Sequence, residues 1–475
     1  MSKLRLFIEN FFIYGLGGII SKLVPLIMVP IVTRLMPDSS YYGISDLSNT
    51  VIQFGSAFAI MGMYDAMYRM FFEKEDREYR KDVCSTALLF TIATSITVFI
   101  AMLLMKNVIA RYFFGSEQYT YVVYLSAVAM LAGATNSIIS APTRMQNKRK
   151  IFFITNTISP ILSYTIAILM LLAGHYVIAL PLAAAATGIV IGIVFGILNY
   201  TWFQLSRFNW NLLKQLCMIA IPLFPNFLIY WVFNSSDKIM ITNMIGVGAA
   251  GIYSVGSKLG HCSQLIYTAF AGGWQYFAFS TMKEENQVAT NSMVFEYLGI
   301  ISFIATAFVC AWSYPIFQAI FTEEYVRGYM VAPYLFLAPL LQMLFQIACN
   351  QFLVIKKTWP NMLILSVSAG FNVLLNFKLI PIMGIEGAAI ATLMGYLISV
   401  AICVIVLCRM KLMVISARFI VSAVIMAAGV MLWRGMEIHT VALKTIVAFC
   451  IAIVYCHLYR KDIKILFLAI KESSG

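Results

Sequence analysis

Apolar runs of about twenty residues recur from one end of this 475-residue chain to the other, each long enough to cross roughly 30 Å of hydrocarbon. In lipid every backbone amide must find its partner within the protein, which leaves helices or a closed barrel. Barrel strands are short and alternate apolar with polar residues. These runs are long and continuously apolar, so they are read as helices. The fold class expected is an all-α polytopic membrane protein with about fourteen transmembrane helices. Composition agrees, since only 11% of residues are charged, against about a quarter in a soluble chain.

The spans are expected near residues 11–33, 44–66, 83–105, 119–141, 151–173, 177–203, 214–236, 250–278, 293–321, 329–354, 360–381, 386–408, 415–433 and 441–458. The first, preceded by Lys3 and Arg5, superficially resembles a signal peptide. Its apolar stretch continues to Val32 with no clean small-x-small site after it, so it is read as an uncleaved span. The connecting segments alternate in charge: one set carries 22 Lys and Arg residues, the other six. Basic residues stay on the cytoplasmic side, which places both termini in the cytoplasm. The formal net charge of +13 is thus accounted for by topology and calls for no nucleic-acid partner.

Catalytic chemistry finds little support. The loops on both faces are too short for a catalytic domain, and a Walker A sequence is absent. Nine cysteines include no Cys-x-x-Cys pair and lie mostly within apolar runs, where they read as small apolar residues. The four histidines are too scattered for a metal site. No cofactor, metal or catalytic residue is expected.

An internal repeat is visible at a shift of about 208 residues. TRLMPDSSYYGIS at 33–45 resembles TNMIGVGAAGIY at 242–253, and Pro25 and Pro30 have rough counterparts in Pro222 and Pro225. The shift spans six helices, an even number, so the halves share one orientation. The expected division is an N-lobe of helices 1–6 (residues 1–206), a C-lobe of helices 7–12 (207–410), and helices 13–14 with a cytoplasmic tail (411–475).

Two matched polar stripes are the clearest candidates for a site. Ser254, Ser257, Lys258, His261, Gln264 and Thr268 fall on one face of the eighth helix; Asp46, Asn49, Thr50, Gln53 and Ser56 form a similar stripe on the second. Asp46 is equivalent to Ser254 and Gln53 to His261. A polar face cannot look at lipid, so each stripe faces protein or water, and symmetric lobes would bring the two together across a cavity. Hydrogen-bonded helix contacts explain Ser, Thr and Asn equally well. They explain Lys258 less well, because an ionised side chain deep in the bilayer costs about 2.5–3.5 kcal/mol. Lys22, mid-span and one turn before Pro25, is a second cavity cation. Asp65 and Arg69, four residues apart, read as an interfacial ion pair or gate, and Glu296 as interfacial.

Residues 237–259, DKIMITNMIGVGAAGIYSVGSKL, resemble a segment typical of Wzx-type polysaccharide (O-antigen and repeat-unit) flippases of the MATE-like MOP superfamily, at Asp237, Lys238, Gly246, Gly251, Tyr253, Ser254 and Lys258. TRLMPDSSYYG, with Thr33, Arg34 and Gly43, is similar to that family's loop between helices 1 and 2, and the run from Gly384 to Thr392 to the start of its twelfth helix. The resemblance implies alternating access by two lobes around a cationic cavity. The cargo implied is an undecaprenyl-diphosphate-linked oligosaccharide, carried to the outer leaflet of the bacterial inner membrane. Coupling to an H⁺ or Na⁺ gradient, contact with membrane lipids and partnership with polysaccharide polymerase machinery are implied with it. Cavity residues would be Lys22, Lys258, Asn49, Gln53, Ser254, Ser257, His261 and Gln264; gate or ion-pair residues would be Arg34, Asp65, Arg69, Asp237 and Lys238. Two alternatives stand beside this reading. A multidrug or cation exporter of the same superfamily would want acidic cavity residues, and a polysaccharide polymerase or ligase a large outer loop.

Overall fold

The computed structural model describes residues 23–267, 274, 285–355, 357 and 359–464, which form helices joined by short turns, with no strand among the described residues. Eleven described helices are long and apolar enough to cross a membrane. The other three expected spans correspond to Leu23–Leu35 (α1), Ser39–Ile60 (α2) and Val247–Gly260 (α10). The start of the first lies outside the described residues, the second is diluted by its polar stripe, and the third is short. The chain is therefore a multi-pass membrane protein.

Packing divides the chain into two compact units, residues 1–255 with 373–388, and residues 256–372 with 389–475. These units follow contacts, whereas the division at 206 and 410 follows the repeat; the two are different kinds of boundary.

In the first unit, α2 starts five residues before the expected position because Asp38 caps it, accepting the Ser40 N–H at 2.8 Å. It also stops early. Met61 and Gly62 both adopt left-handed backbone, φ 48° and 79°, so the single span expected at 44–66 is two helices, α2 and Met63–Phe71 (α3). Gly62 is required twice over, since a Cβ there would also lie 2.7 Å from the Ala220 carbonyl oxygen. Asp76 caps Arg77–Leu104 (α4) through the N–H groups of Glu78 and Tyr79. The Arg80 guanidinium closes the preceding turn on the carbonyls of Phe71 and Lys74, at 3.0 and 2.9 Å.

Lys106–Phe114 (α5), expected as loop, is a short helix stopped by Gly115 at φ 73°. Thr120–Met145 (α6), Arg149–Leu172 (α7) and Ala179–Asn199 (α8) complete the first six-span set. Side-chain amides tie α6 to α8: the half-buried Asn136 donates to the Gly188 carbonyl at 2.7 Å, and the buried Asn199 to that of Ile139 at 2.9 Å. Trp210–Met244 (α9) runs 35 residues, well beyond the 214–236 expected. Pro222 and Pro225 lie inside it, where each removes a backbone donor and bends the helix.

The second unit is built on Gln287–Ile320 (α11), with Ala332–Val354 (α12), Trp359–Met383 (α13), Ile385–Arg409 (α14), Ala417–Gly435 (α15) and Val441–Leu458 (α16) in the remainder of the chain. Glu296, expected at the interface, packs against protein. It is 4% exposed and accepts the Ser416 N–H at 2.7 Å and hydroxyl at 2.8 Å, with the Tyr459 hydroxyl at 3.3 Å. This carboxylate fixes the start of α15 and the end of α16 to α11.

Candidate functional site

The first ends of α2 and α10 meet the last turns of α9 within the first unit, in a closely packed and largely buried contact. A Cβ on Gly251 would lie 2.0 Å from the Ser39 carbonyl oxygen, and one on Gly43 would lie 2.3 Å from that of Val247. Only glycine lets the two backbones approach this closely. Gly43 and Gly251 are 208 residues apart in sequence, the repeat shift.

One turn further along, Asp46 and Ser254, also separated by 208, are joined by a hydrogen bond of 2.8 Å from the serine hydroxyl. Lys238 reaches the same carboxylate oxygen at 2.6 Å; its side chain is 15% exposed and that of Asp46 3%. Asp237 beside it is 4% exposed and accepts from the Tyr253 hydroxyl and, at 2.8 Å, from the Lys238 N–H. Lys238, expected in an outer loop, is therefore inside α9. The segment Asn234–Lys238 stays helical because α2 and α10 supply partners for its charges. An uncompensated charge here would cost several kcal/mol, so the pair is a strong constraint on the geometry even where its net contribution to stability is small.

About two turns along α2 the character reverses. A cavity of about 340 Å³ opens between α2 and α9, its wall mostly apolar: Ile52, Ala57 and Ile60 with Gln53, Ser56 and Gly62 on one side, Phe227, Tyr230, Trp231 and Asn234 on the other. Gln53 and Asn234 are exposed there. The Trp231 indole N–H is held by the Thr50 carbonyl at 3.2 Å, and its ring lies against Phe54 with centroids 4.5 Å apart. That fixes the indole plane. A fixed aromatic face with a few amide and hydroxyl groups in an otherwise apolar wall offers stacking to the C–H face of a sugar and a small number of hydrogen bonds to its hydroxyls, the usual make-up of a small-ligand pocket.

The other expected residues are placed as follows. Lys22 lies outside the described residues, as does Thr268. Lys258 is exposed and on α10, and Asn49 is exposed on α2. Ser257 is buried and shares a hydrogen bond of 3.0 Å with His261 Nδ1. The stripe is not carried by one continuous helix as expected. His261 keeps the regular bond to the Ser257 carbonyl, and the backbone ladder tightens after it, where Cys262 and Gln264 donate to residues three rather than four before them, so the helical spacing that places Gln264 on the stripe is broken. A Cβ on Gly260 would sit 2.9 Å from the Ala332 carbonyl oxygen, so close packing on α12 fixes this point. Arg34 is exposed at the end of α1. Asp65 and Arg69 are both exposed on α3 and no ion pair joins them, contrary to expectation: the break at Met61 and Gly62 starts a new helix whose buried face is Met63, Ala66, Met67 and Met70. Tyr230, Trp231 and Asn234 were not anticipated, because aromatic residues in an apolar run carry no signal of their own; Phe227, Tyr230 and Asn234 at helical spacing were the available hint.

The sequence matches the polysaccharide biosynthesis protein family over residues 31–329, well over half of the chain. None of the curated proteins matches it. Among solved structures, the lipid II flippase MurJ in an inward closed conformation is similar with a TM-score of 0.71 at 12% identity, covering 97% of this chain and all of that one. An inward-facing multidrug resistance MATE family transporter of the MOP superfamily gives 0.66 at 15% identity, over 82% of this chain and 94% of that one. A MATE transporter from Vibrio cholerae gives 0.59 at 11% identity, over 85% and 96%. The chain belongs to the polysaccharide biosynthesis protein family, and its fold is that of the MATE-like transporters and flippases of the MOP superfamily.

Proposed function

We propose that this protein carries an undecaprenyl-diphosphate-linked oligosaccharide from the cytoplasmic to the outer leaflet of the bacterial inner membrane, by alternating access and without catalytic chemistry of its own. The observation that carries the reading is the cavity between α2 and α9, where a positioned indole, a phenol and two carboxamides line a void inside membrane-spanning helices. Amides and hydroxyls in hydrocarbon are retained where they line water or a polar ligand. Family membership supplies the polysaccharide context.

In this reading the glycan rides on Trp231, Tyr230, Gln53 and Asn234 of the first unit; Lys22 and Lys258, each on its own helix, are the cations proposed to meet the diphosphate, since charge-assisted bonds to phosphate are the strongest available. Both termini are cytoplasmic, following the excess of basic residues in alternate loops. An H⁺ or Na⁺ gradient drives the cycle, and polysaccharide polymerase machinery receives the product.

A multidrug exporter on the same fold is the competing function. Against it, the carboxylates of α2 and α9, Asp46 and Asp237, are occupied by Lys238, Ser254 and Tyr253, and so are not offered to a cationic drug. Proteoliposomes containing the purified protein and a fluorescent lipid-linked oligosaccharide separate the two. The proposal expects glycan to reach the outer face under an ion gradient. Export of cationic dyes with no movement of glycan would show the exporter reading to be correct.

A further inference from the structure

At the end of the first unit that carries Arg144, Lys148 and Lys150, a pocket of about 210 Å³ lies between α3, α6, α7 and α8. Seven of its eleven lining residues are polar, among them Tyr64, Ser140, Arg144, Thr155, Asn156 and Ser159, and none is acidic. Asp65, the neighbour of Tyr64, is exposed and stays out of the lining. The lining follows α7 from Phe152 to Ser159, three to ten residues from that helix's start at Arg149. At about 1.5 Å per residue it extends roughly 5 to 15 Å from the helix end, from the headgroup level into the hydrocarbon. Polar side chains at that depth are retained where they face water or a polar ligand. Ile154 and Ile158 of the same helix are each 51% exposed and offer an apolar surface beside it.

Four side chains from three helices can donate to one guest here. Arg144 gives an N–H to the Tyr64 hydroxyl at 3.3 Å, and that phenol keeps its own proton to give. The Phe152 ring centroid lies 5.7 Å from the guanidinium carbon, a cation–π contact that helps hold the fork in place. The Asn156 carboxamide spends one N–H on the Phe152 carbonyl at 2.9 Å and has a second. The Ser159 hydroxyl makes no hydrogen bond to protein among the described residues. A guanidinium beside neutral donors, with no carboxylate in the wall, is chemistry for an anion, and the guanidinium fork matches the oxygens of a phosphate. At this depth a phosphate arrives attached to a lipid.

We propose that the pocket of α3, α6, α7 and α8 binds the phosphate group of a lipid, with Arg144 on the phosphate and the lipid's stem along Ile191 and Phe195 of α8. The phosphate belongs to a bilayer phospholipid or to a lipid-linked diphosphate, and the chemistry recognised is the same in both. The assignment requires only that the chain spans a membrane, and it is separate from the glycan path along α2 and α9.

The test titrates the full-length protein in detergent with phosphatidylglycerol and, separately, with an undecaprenyl-diphosphate-linked oligosaccharide, and reads retained lipid by native mass spectrometry. The assignment expects saturable binding of at least one of them, weakened at least about tenfold by Arg144→Gln. Asn156→Asp, which changes shape little and sets a carboxylate against the phosphate, should weaken it as much and serves if the first variant does not fold. Lys150→Gln, exposed on α7 and outside the lining, should bind as the wild type does. The lipid that binds more tightly to the wild type, and loses that advantage in Arg144→Gln, identifies the source of the phosphate. Diacylglycerol, which lacks a phosphate, should not be retained. Diacylglycerol held as well as phosphatidylglycerol, or equal losses in Lys150→Gln and Arg144→Gln, would reduce the binding to general lipid or charge attraction and overturn the site. Inorganic phosphate competing as well as either lipid would show a free-anion site and overturn the lipid assignment.

Discussion

Helices α2 and α9 touch twice, and the two contacts are opposites. Near Asp46 and Lys238 the helices are closely packed, the carboxylates are occupied, and two glycines with Ser254 bring α10 into backbone contact. Two turns away, near Gln53 and Trp231, the same helices stand apart and leave polar side chains facing a void. The sequence of α2 is equally polar at both places. The difference lies in what the partner helix offers: a cation and a hydroxyl at one level, aromatic rings and an amide at the other. One level has every charge spent on protein, whereas the other has capacity left for a ligand. Polar residues in a membrane helix thus become a seal or a site according to whether their neighbours satisfy them.

The largest expected disruption of this contrast comes from Lys238→Ala, which leaves Asp46 buried without its cation. A loss of about 3–5 kcal/mol is expected, read as thermal melting in detergent. The double variant Asp46→Leu with Lys238→Met should melt close to wild type, because replacing both charges by apolar groups removes the desolvation cost as well. A single variant as stable as wild type would mean that the pair is hydrated rather than buried. Tyr253→Phe removes a donor from Asp237 and should cost about 1.5–3 kcal/mol, as for other bonds to charged groups. Gly251→Ala pushes a methyl group against the Ser39 carbonyl and should cost about 1–3 kcal/mol by overpacking; no change in melting would show that the backbones are not in contact. At the small end, Asp65→Asn and Arg69→Ala should each shift stability by no more than about 0.5 kcal/mol, as for exposed residues without partners. A clear loss in either would restore the ion pair expected from their spacing.

Much of the fold is legible in the sequence, because apolar length is a direct physical requirement of the bilayer. The ends of α13 to α16 fall close to the expected positions for that reason. The departures share one cause, which is that partners distant in sequence decide them. Asp237 and Lys238 read as the start of an outer loop until Asp46 and Tyr253 are seen to satisfy them. The break after Ile60 falls on Met61, whose left-handed backbone no residue preference announces. Helix α5 carries Lys106 and Arg111 and is only nine residues long, too short and too polar to register as a span. For the site, the stripe on α2 and the equivalence of Asp46 with Ser254 are legible, and the second proves to be a direct contact. The aromatic wall of α9 is not, since Trp231 differs from any other apolar residue only through the Thr50 carbonyl that holds it.

The measurement that bears most directly on the account is the translocation rate of a lipid-linked oligosaccharide in proteoliposomes by Trp231→Ala, beside Cys450→Ser as an exposed control on α16. Both are compared at equal amounts of folded protein. Loss of an aromatic platform should slow transport at least about tenfold, equivalent to about 1.4 kcal/mol, while the control keeps the wild-type rate. Equal rates for the two variants would contradict the assignment of the α2–α9 cavity as the path of the glycan.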